Sequence, residues 1–267
     1  MITFPNAKIN IGLNIISRRG DGYHNLETVF YPVGIKDALE VIEADKLSFT
    51  SSGIVIPGNY EENLCLKAYY LMRQDVHIPP VHIHLHKHIP IGAGMGGGSA
   101  DAAFFIHLLN DKFQLNLNRD QLSGYARQLG SDCAFFIDNV PAFAHGRGEQ
   151  LEEIKLDLSG YYMVLVQPPV HISTAEAYRH VEPQVPEMPL KELIQLPVKQ
   201  WKNKISNDFE SSIIKNHPEI NELKKVLYLA GALYAAMSGS GSSVYGIFRE
   251  KVELKHLENN NEVFYGI

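Results

Sequence analysis

The stretch "PIGAGMGGGSADAA", Pro90 to Ala103, constrains the fold more than any other part of the chain. Five of the seven residues from Gly92 to Gly98 are glycine, and an alanine-rich segment follows at once. Glycine gives up more backbone freedom on folding than any other residue. Such density is expected where the main chain bends through conformations closed to side chains, or where another group must lie against it. Ahead of the glycines, "VHIHLHKHI" alternates Val81, Ile83, Leu85 and Ile89 with histidines, the period of a half-buried strand. Behind them, "SADAAFFIHLLN" has the composition of a helix opening at Ser99. A strand, a glycine loop and a helix in direct succession form a phosphate-binding arrangement. Successive N–H groups and the positive helix end converge on one spot, and absent side chains let phosphate oxygens approach. The Ser99 hydroxyl can cap the helix or reach a phosphate or its metal ion.

Three rival readings of the loop exist. No Gly-Lys-Ser/Thr closes it, so it is not a Walker A loop. Gly92, Gly94 and Gly97 satisfy G-x-G-x-x-G, which leaves a nicotinamide-dinucleotide-binding oxidoreductase open. The acidic ribose partner expected ~20 residues further on is not obvious in "NLNRD". A plain surface turn is the bland alternative, but flexible loops seldom run so tightly between an apolar strand and a helix.

Elsewhere, "AKINIGLNI" alternates Ile9, Ile11, Leu13 and Ile15 with Lys8, Asn10, Gly12 and Asn14, predicting a strand with one buried face and Lys8 and Asn10 on the other. "SRRGDGYH" predicts a turn and "LETVFYPVG" a strand. "ENLCLKAYYLMRQ" predicts a helix with Leu64, Lys67, Ala68 and Leu71 on one stripe. "NRDQLSGYARQLG" predicts a helix with Asn118 as cap, Gln121 three residues on and Gly130 as stop. The second half opens with the strand "YYMVLVQPP" and a helix started by Ser173 and Glu176. It closes with the helix "EINELKKVLYLAG", the pair "ALYAAM" and "VYGIF" around "SGSGSS", and the strand "EVFYGI". Strands and helices mix without a strict βαβ repeat, which favours α+β over a doubly wound sheet.

The 267 residues are enough for one large or two moderate domains. A net charge of -6 argues against general affinity for nucleic acid or an anionic membrane. The two cysteines, Cys65 and Cys133, cannot build a disulfide framework, which suits a reducing cytosol. "MITFPNAKINIGLNII" lacks the pattern of a signal peptide, and no apolar run reaches the ~18 residues of a membrane span. A cytoplasmic protein with no nucleic-acid or membrane partner is expected. His82, His84, His86 and His88 share one strand face and could be taken for transition-metal ligands. No carboxylate or cysteine accompanies them, so a solvated face is the better reading and no metal-ligand set is expected.

"PIGAGMGGGSADAA" resembles the phosphate loop of the galactokinase, homoserine kinase and mevalonate kinase (GHMP) superfamily. "AKINIGLNIISRRGDGYHNLETVF", "LGSDCAFFI", "AFAHGRGE" and "MSGSGSSVYGIF" are similar, in that order, to motifs of its branch acting on 4-diphosphocytidyl-2-C-methyl-D-erythritol. Met95, Gly97 and Gly98 stand where the superfamily has Leu-x-Ser, Pro169 where the branch often has glycine, and Tyr178 where it often has phenylalanine. The resemblance implies an α+β, two-domain GHMP-kinase-like fold with the active site in the cleft between domains. It implies an N-terminal domain over 1–152 and a ferredoxin-like C-terminal domain over 153–267.

It also implies an ATP-dependent small-molecule kinase of isoprenoid precursor biosynthesis, phosphorylating the 2-hydroxyl of the cytidine-diphosphate sugar alcohol. Magnesium would accompany ATP, and the protein would be a monomer or weak homodimer. Asp132 would be the general base, assisted by Lys8. Asn63, Lys87 and the run Pro90, Ile91, Gly92, Ala93, Gly94, Met95, Gly96, Gly97, Gly98, Ser99 and Ala100 would bind ATP. Asn10, Tyr23, His24, Phe30, Thr174 and Tyr178 would bind the second substrate. Another kinase of the superfamily is the nearest alternative. Without the resemblance, Asp132 reads as a helix cap, Lys8 as a solvated strand residue, "SGSGSS" as a hairpin turn, each aromatic as core, and Cys133 as packing.

Overall fold

The computed structural model describes all 267 residues. In chain order its elements are β1 (Ile2–Thr3), β2 (Asn6–Arg18), β3 (His24–Lys36), β4 (Ala38–Glu43), β5 (Ser48–Gly53), α1 (Leu64–Met72), β6 (Val81–Lys87), α2 (Gly97–Lys112), α3 (Arg119–Leu129) and α4 (Phe135–Asp138). There follow β7 (Ala142–His145), β8 (Gln150–Glu153), β9 (Tyr162–Gln167), α5 (Thr174–Tyr178), α6 (Leu190–Leu193), α7 (Asp208–Ile213), α8 (Pro218–Leu229), β10 (Tyr234–Met237), β11 (Val244–Phe248) and β12 (Glu262–Tyr265). The chain is α+β. No helix is long and apolar enough to cross a membrane.

Two compact units are present, and neither is continuous in sequence. The first comprises 1–7, 35–91 and 96–140; the second comprises 8–34, 92–95 and 141–267. In the first, a four-stranded sheet of order β1-β4-β6-β5 is covered by α2, with α1 and α3 packed on that helix. The alternation read in β6 is real: Val81, Ile83 and Leu85 are wholly buried, and so are Leu39 and Val41 on β4 beside it. No strand after α2 joins this sheet, so the loop between β6 and α2 does not open the parallel βαβ unit a dinucleotide fingerprint requires.

The second unit holds two four-stranded sheets, β2-β3-β7-β8 and β10-β11-β9-β12. Leu13, Ile15 and Leu26 join Val164, Val166, Phe209, Leu227 and Val244 in one hydrophobic core. That packing draws a segment near the N-terminus into a unit made mostly from the second half of the chain.

Two local expectations need correction. β2 is buried on both faces along most of its length, so Lys8 and Asn10 face protein rather than water. On α1 the buried positions are Cys65, Leu66, Ala68, Tyr69 and Met72, while Lys67 is exposed and Leu64 and Leu71 are half-buried. The segment is apolar on most sides, so its periodicity alone could not choose the stripe.

Candidate active site

The loop that opened the sequence reading is a chain of three left-handed glycines, Gly92, Gly94 and Gly96, with φ of 67°, 79° and 69°. A side chain at Gly94 is impossible for a second reason. Its Cβ would lie 2.0 Å from the main-chain oxygen of Ser238. The first half of the loop is fastened within the second unit. The Lys8 N–H donates to Met95 O at 3.0 Å, the Ser243 N–H to Ala93 O at 3.3 Å, and the Ser238 hydroxyl to Gly94 O at 2.9 Å. "SGSGSS" is therefore the packing partner of this glycine loop rather than a plain hairpin turn.

From Gly96 onward the loop belongs to the first unit. Helix α2 starts at Gly97, two residues earlier than expected, with Gly96 as its N-cap and no side chain accepting from its first N–H groups. Ser99 lies inside the first turn; its hydroxyl faces the Cys133 thiol instead of capping the helix. A Cβ on Gly97 would meet Ile89 Cγ2 at 2.9 Å and Lys87 Nζ at 3.0 Å, so this glycine lets the helix sit down on the strand end. Gly98 differs. It is exposed, and the nearest atom to an added Cβ is Leu64 Cδ1 at 4.0 Å. The helix start thus offers open N–H groups beside an unobstructed glycine, where the positive helix end favours an anion.

Lys87 is buried with Asp37 and Asp101. Its Nζ donates to Asp37 Oδ2 at 2.5 Å and to Asp101 Oδ2 at 2.7 Å. Burial pushes the Asp101 carboxyl up to about 7, with Lys87 opposing and Asp37 adding to the shift. Asn63 caps α1, its Oδ1 accepting from the Cys65 N–H at 2.9 Å. Asp132 lies two residues beyond Gly130 and is half-buried, with the Ser131 hydroxyl 3.4 Å from its Oδ1. Cys133 is fully buried, and burial first, then the Asp132 charge, pushes its thiol up to about 11. It is a packing residue that stays protonated.

In the second unit, Lys8 Nζ donates to Asn10 Oδ1 at 2.5 Å and lies 4.7 Å from the centre of the Phe30 ring. Asn10 Nδ2 donates to the Thr28 hydroxyl at 2.9 Å, and that hydroxyl donates to Gly12 O at 2.6 Å. Lys8, Asn10 and Phe30 are all about 3% exposed. His24 and Tyr178 stack with centroids 4.9 Å apart, and Phe209 meets Tyr178 edge-on at 4.7 Å. Tyr23 is 59% exposed with the Arg147 guanidinium 5.2 Å from its ring, and Thr174 is exposed at the first position of α5. Of the residues expected on the side of the second substrate, Lys8, Asn10 and Phe30 lie together, and His24 lies against Tyr178. Thr28, Phe209, Asp37 and Asp101, which pack against these residues or against Lys87, carry no local spacing that marks them in the sequence.

The alternating histidines meet hydroxyls of the neighbouring strand. Ser48, Thr50 and Ser52 of β5 lie within 3.2 Å of ring nitrogens of His82, His84 and His86, making a ladder along one sheet face. His82 and His84 are half-buried there, and His86 and His88 are exposed.

The GHMP kinases N terminal domain family matches residues 63–147, and the GHMP kinases C terminal family matches 190–265. The 4-diphosphocytidyl-2-C-methyl-D-erythritol kinase of Bacteroides thetaiotaomicron is 54% identical over 268 residues, covering 99% of this chain and 98% of that protein. The enzyme of the same name from Parabacteroides distasonis is 52% identical over 255 residues, covering 96% and 94%. A crystal structure of 4-(cytidine 5'-diphospho)-2C-methyl-D-erythritol kinase superposes with a TM-score of 0.86 at 30% identity, covering 100% of this chain and 98% of that one. A mevalonate kinase structure shares the fold at a TM-score of 0.71 and 16% identity. The chain is a small-molecule kinase and belongs to the 4-diphosphocytidyl-2-C-methyl-D-erythritol kinase family of GHMP kinases.

Proposed function

We propose that this kinase transfers the γ-phosphoryl group of ATP to the 2-hydroxyl of 4-diphosphocytidyl-2-C-methyl-D-erythritol, in isoprenoid precursor biosynthesis. The observation that carries the reading is the uncapped start of α2 beside the open Gly98, in a chain half identical to relatives bearing that enzyme's name. Phosphoryl transfer asks little covalent work of a protein. It needs the γ-phosphate held in line with the attacking hydroxyl, its charge neutralised, and a group to take the proton.

On this reading the N–H groups from Gly92 to Ser99 hold the polyphosphate, Ala100 closes the first turn beneath it with its N–H on Gly96 O, and Pro90 and Ile91 set its approach. Asn63 contributes to the nucleotide pocket by its amide N–H₂, since its oxygen holds the cap. Lys87 serves the nucleotide from below the loop. Asp132 accepts the proton of the attacking hydroxyl, and Lys8 favours the developing alkoxide. Asn10 orients Lys8 and retains one donor and one acceptor site for substrate hydroxyls. The ring faces of His24, Tyr178 and Tyr23 suit a cytosine, Phe30 walls the Lys8 side, and Thr174 suits the diphosphate.

Magnesium, carried by ATP, neutralises phosphate charge. The structure holds no group of three or more His, Cys, Asp or Glu arranged around an ion. On this reading the cation is held mainly by substrate phosphates and water. We also take the protein to be a cytoplasmic monomer or weak homodimer. The two family matches lie on either side of residue 152, which supports a sequence division there.

The test is ADP release from purified protein offered ATP with the cytidine-diphosphate alcohol, mevalonate or homoserine in turn. Turnover of the first alone, with a 2-phosphate product by phosphorus NMR, is expected. Turnover of mevalonate or homoserine without the first would overturn the reading.

A further inference from the structure

The trio of Asp37, Lys87 and Asp101 lies wholly within the first unit, and the side chains are 0%, 4% and 3% exposed. Asp37 is in the connection between β3 and β4, remote in sequence from the glycine loop. Its two oxygens have separate duties. Oδ1 accepts from the main-chain N–H groups of His88 at 2.6 Å and Ile89 at 2.8 Å, the residues that lead into the loop. Oδ2 accepts from Lys87 Nζ at 2.5 Å. That ammonium reaches Asp101 on α2 and lies beneath Gly97, so one charged chain runs from the loop's entry to its exit.

Burying three charges is costly unless the arrangement fixes something, because each ion loses its hydration. A solvated lysine would fill the same strand position at less cost, and an apolar residue would pack as well. Asp101 Oδ1 is buried without a hydrogen-bond partner, so the carboxyl is fastened through its other oxygen, to Lys87.

We propose that Asp37 is a positioning residue for nucleotide binding: through the main chain of His88 and Ile89, and through Lys87 to Asp101, it sets the spacing between the loop's entry and the first turn of α2. The inference rests on the reading of that loop as the phosphate site. Asp37→Asn keeps an oxygen for the two N–H groups and loses the charged bond to Lys87. Asp101→Asn, the milder change, releases only the α2 end.

Both variants would be measured well below their melting temperatures for kcat, for the KM of each substrate, and for calorimetric affinity toward a non-hydrolysable ATP analogue. Asp37→Asn is expected to weaken nucleotide binding by ~10-fold or more, the scale of a lost charge-assisted hydrogen bond. The KM of the alcohol should hold, and Asp101→Asn should show a smaller shift of the same kind. A purely structural role lowers the folded fraction, which scales kcat and leaves both KM values in place; that pattern overturns the proposal. If Asp37→Asn does not fold, unchanged nucleotide affinity in Asp101→Asn does the same. Amide hydrogen exchange on the parent protein separates the two layers. Failure of the ATP analogue to protect Gly97–Ser99 removes the phosphate-loop reading and this proposal with it, whereas protection with unaltered variant affinities removes only the proposal.

Discussion

Helices α2 and α3 lie in the same unit and begin in opposite ways. At the start of α3, Asn118 Oδ1 accepts from the Gln121 N–H at 3.0 Å, and Gln121 Oε1 accepts from the Asn118 N–H at 3.0 Å. Helix α1 is closed similarly by Asn63. Helix α2 starts on a left-handed glycine with no side-chain cap. A helix end whose donors have no internal partner gains by finding an external one. On the proposed function, the difference separates a start made for stability from a start that offers its N–H groups to a ligand.

Three substitutions probe that separation. The largest effect is expected from Asp132→Asn, beyond the end of α3. If α2 holds the nucleotide and Asp132 takes the proton, turnover should fall at least ~100-fold with ATP affinity retained, the scale of a general-base contribution. Steady-state kinetics with calorimetry decides it, and near-normal turnover removes Asp132 from that role. Next comes Gly98→Ala. The added methyl has room and no positive φ opposes it, so helix propensity should hold or raise stability by up to ~1 kcal/mol. A phosphate pressed against that glycine would be displaced, and the KM for ATP should rise ~10-fold, or about 1.4 kcal/mol. A variant that is more stable and binds ATP as before breaks the comparison. The smallest effect is Asn118→Ala, which should cost about 1 kcal/mol in a denaturant titration with both KM values unchanged. A shift in the KM for ATP here would show that the two helix starts do not differ in kind.

Much of the site was legible because its signals are local. The alternation of Val81, Ile83 and Leu85 specified β6, and Asn118 with Gln121 specified the α3 start. Gly130 ends α3 as read, though in an extended conformation (φ of 173°) that does not itself require glycine. Lys87 was visible as a break in an apolar face, but its two carboxylates were not. Of the two roles open to Ser99, the cap is excluded, because the cap position has gone to Gly96, three residues earlier. The α1 stripe was misread because an evenly apolar segment carries no directional signal.

The sequence by itself determined where the chain could bend, which segments were strand or helix, and that a run of bare backbone would face something. Those properties depend on neighbours within a turn or two, whose spacing the covalent chain fixes. Only the tertiary structure decided what each glycine faces: Ser238 at Gly94, Lys87 at Gly97 and open space at Gly98. It also decided that Lys87 meets Asp37, 50 residues away, and that the Ser238 hydroxyl reaches Gly94 across 144 residues. Contacts at such separations are set by which apolar faces must be buried together, and no local spacing records that choice.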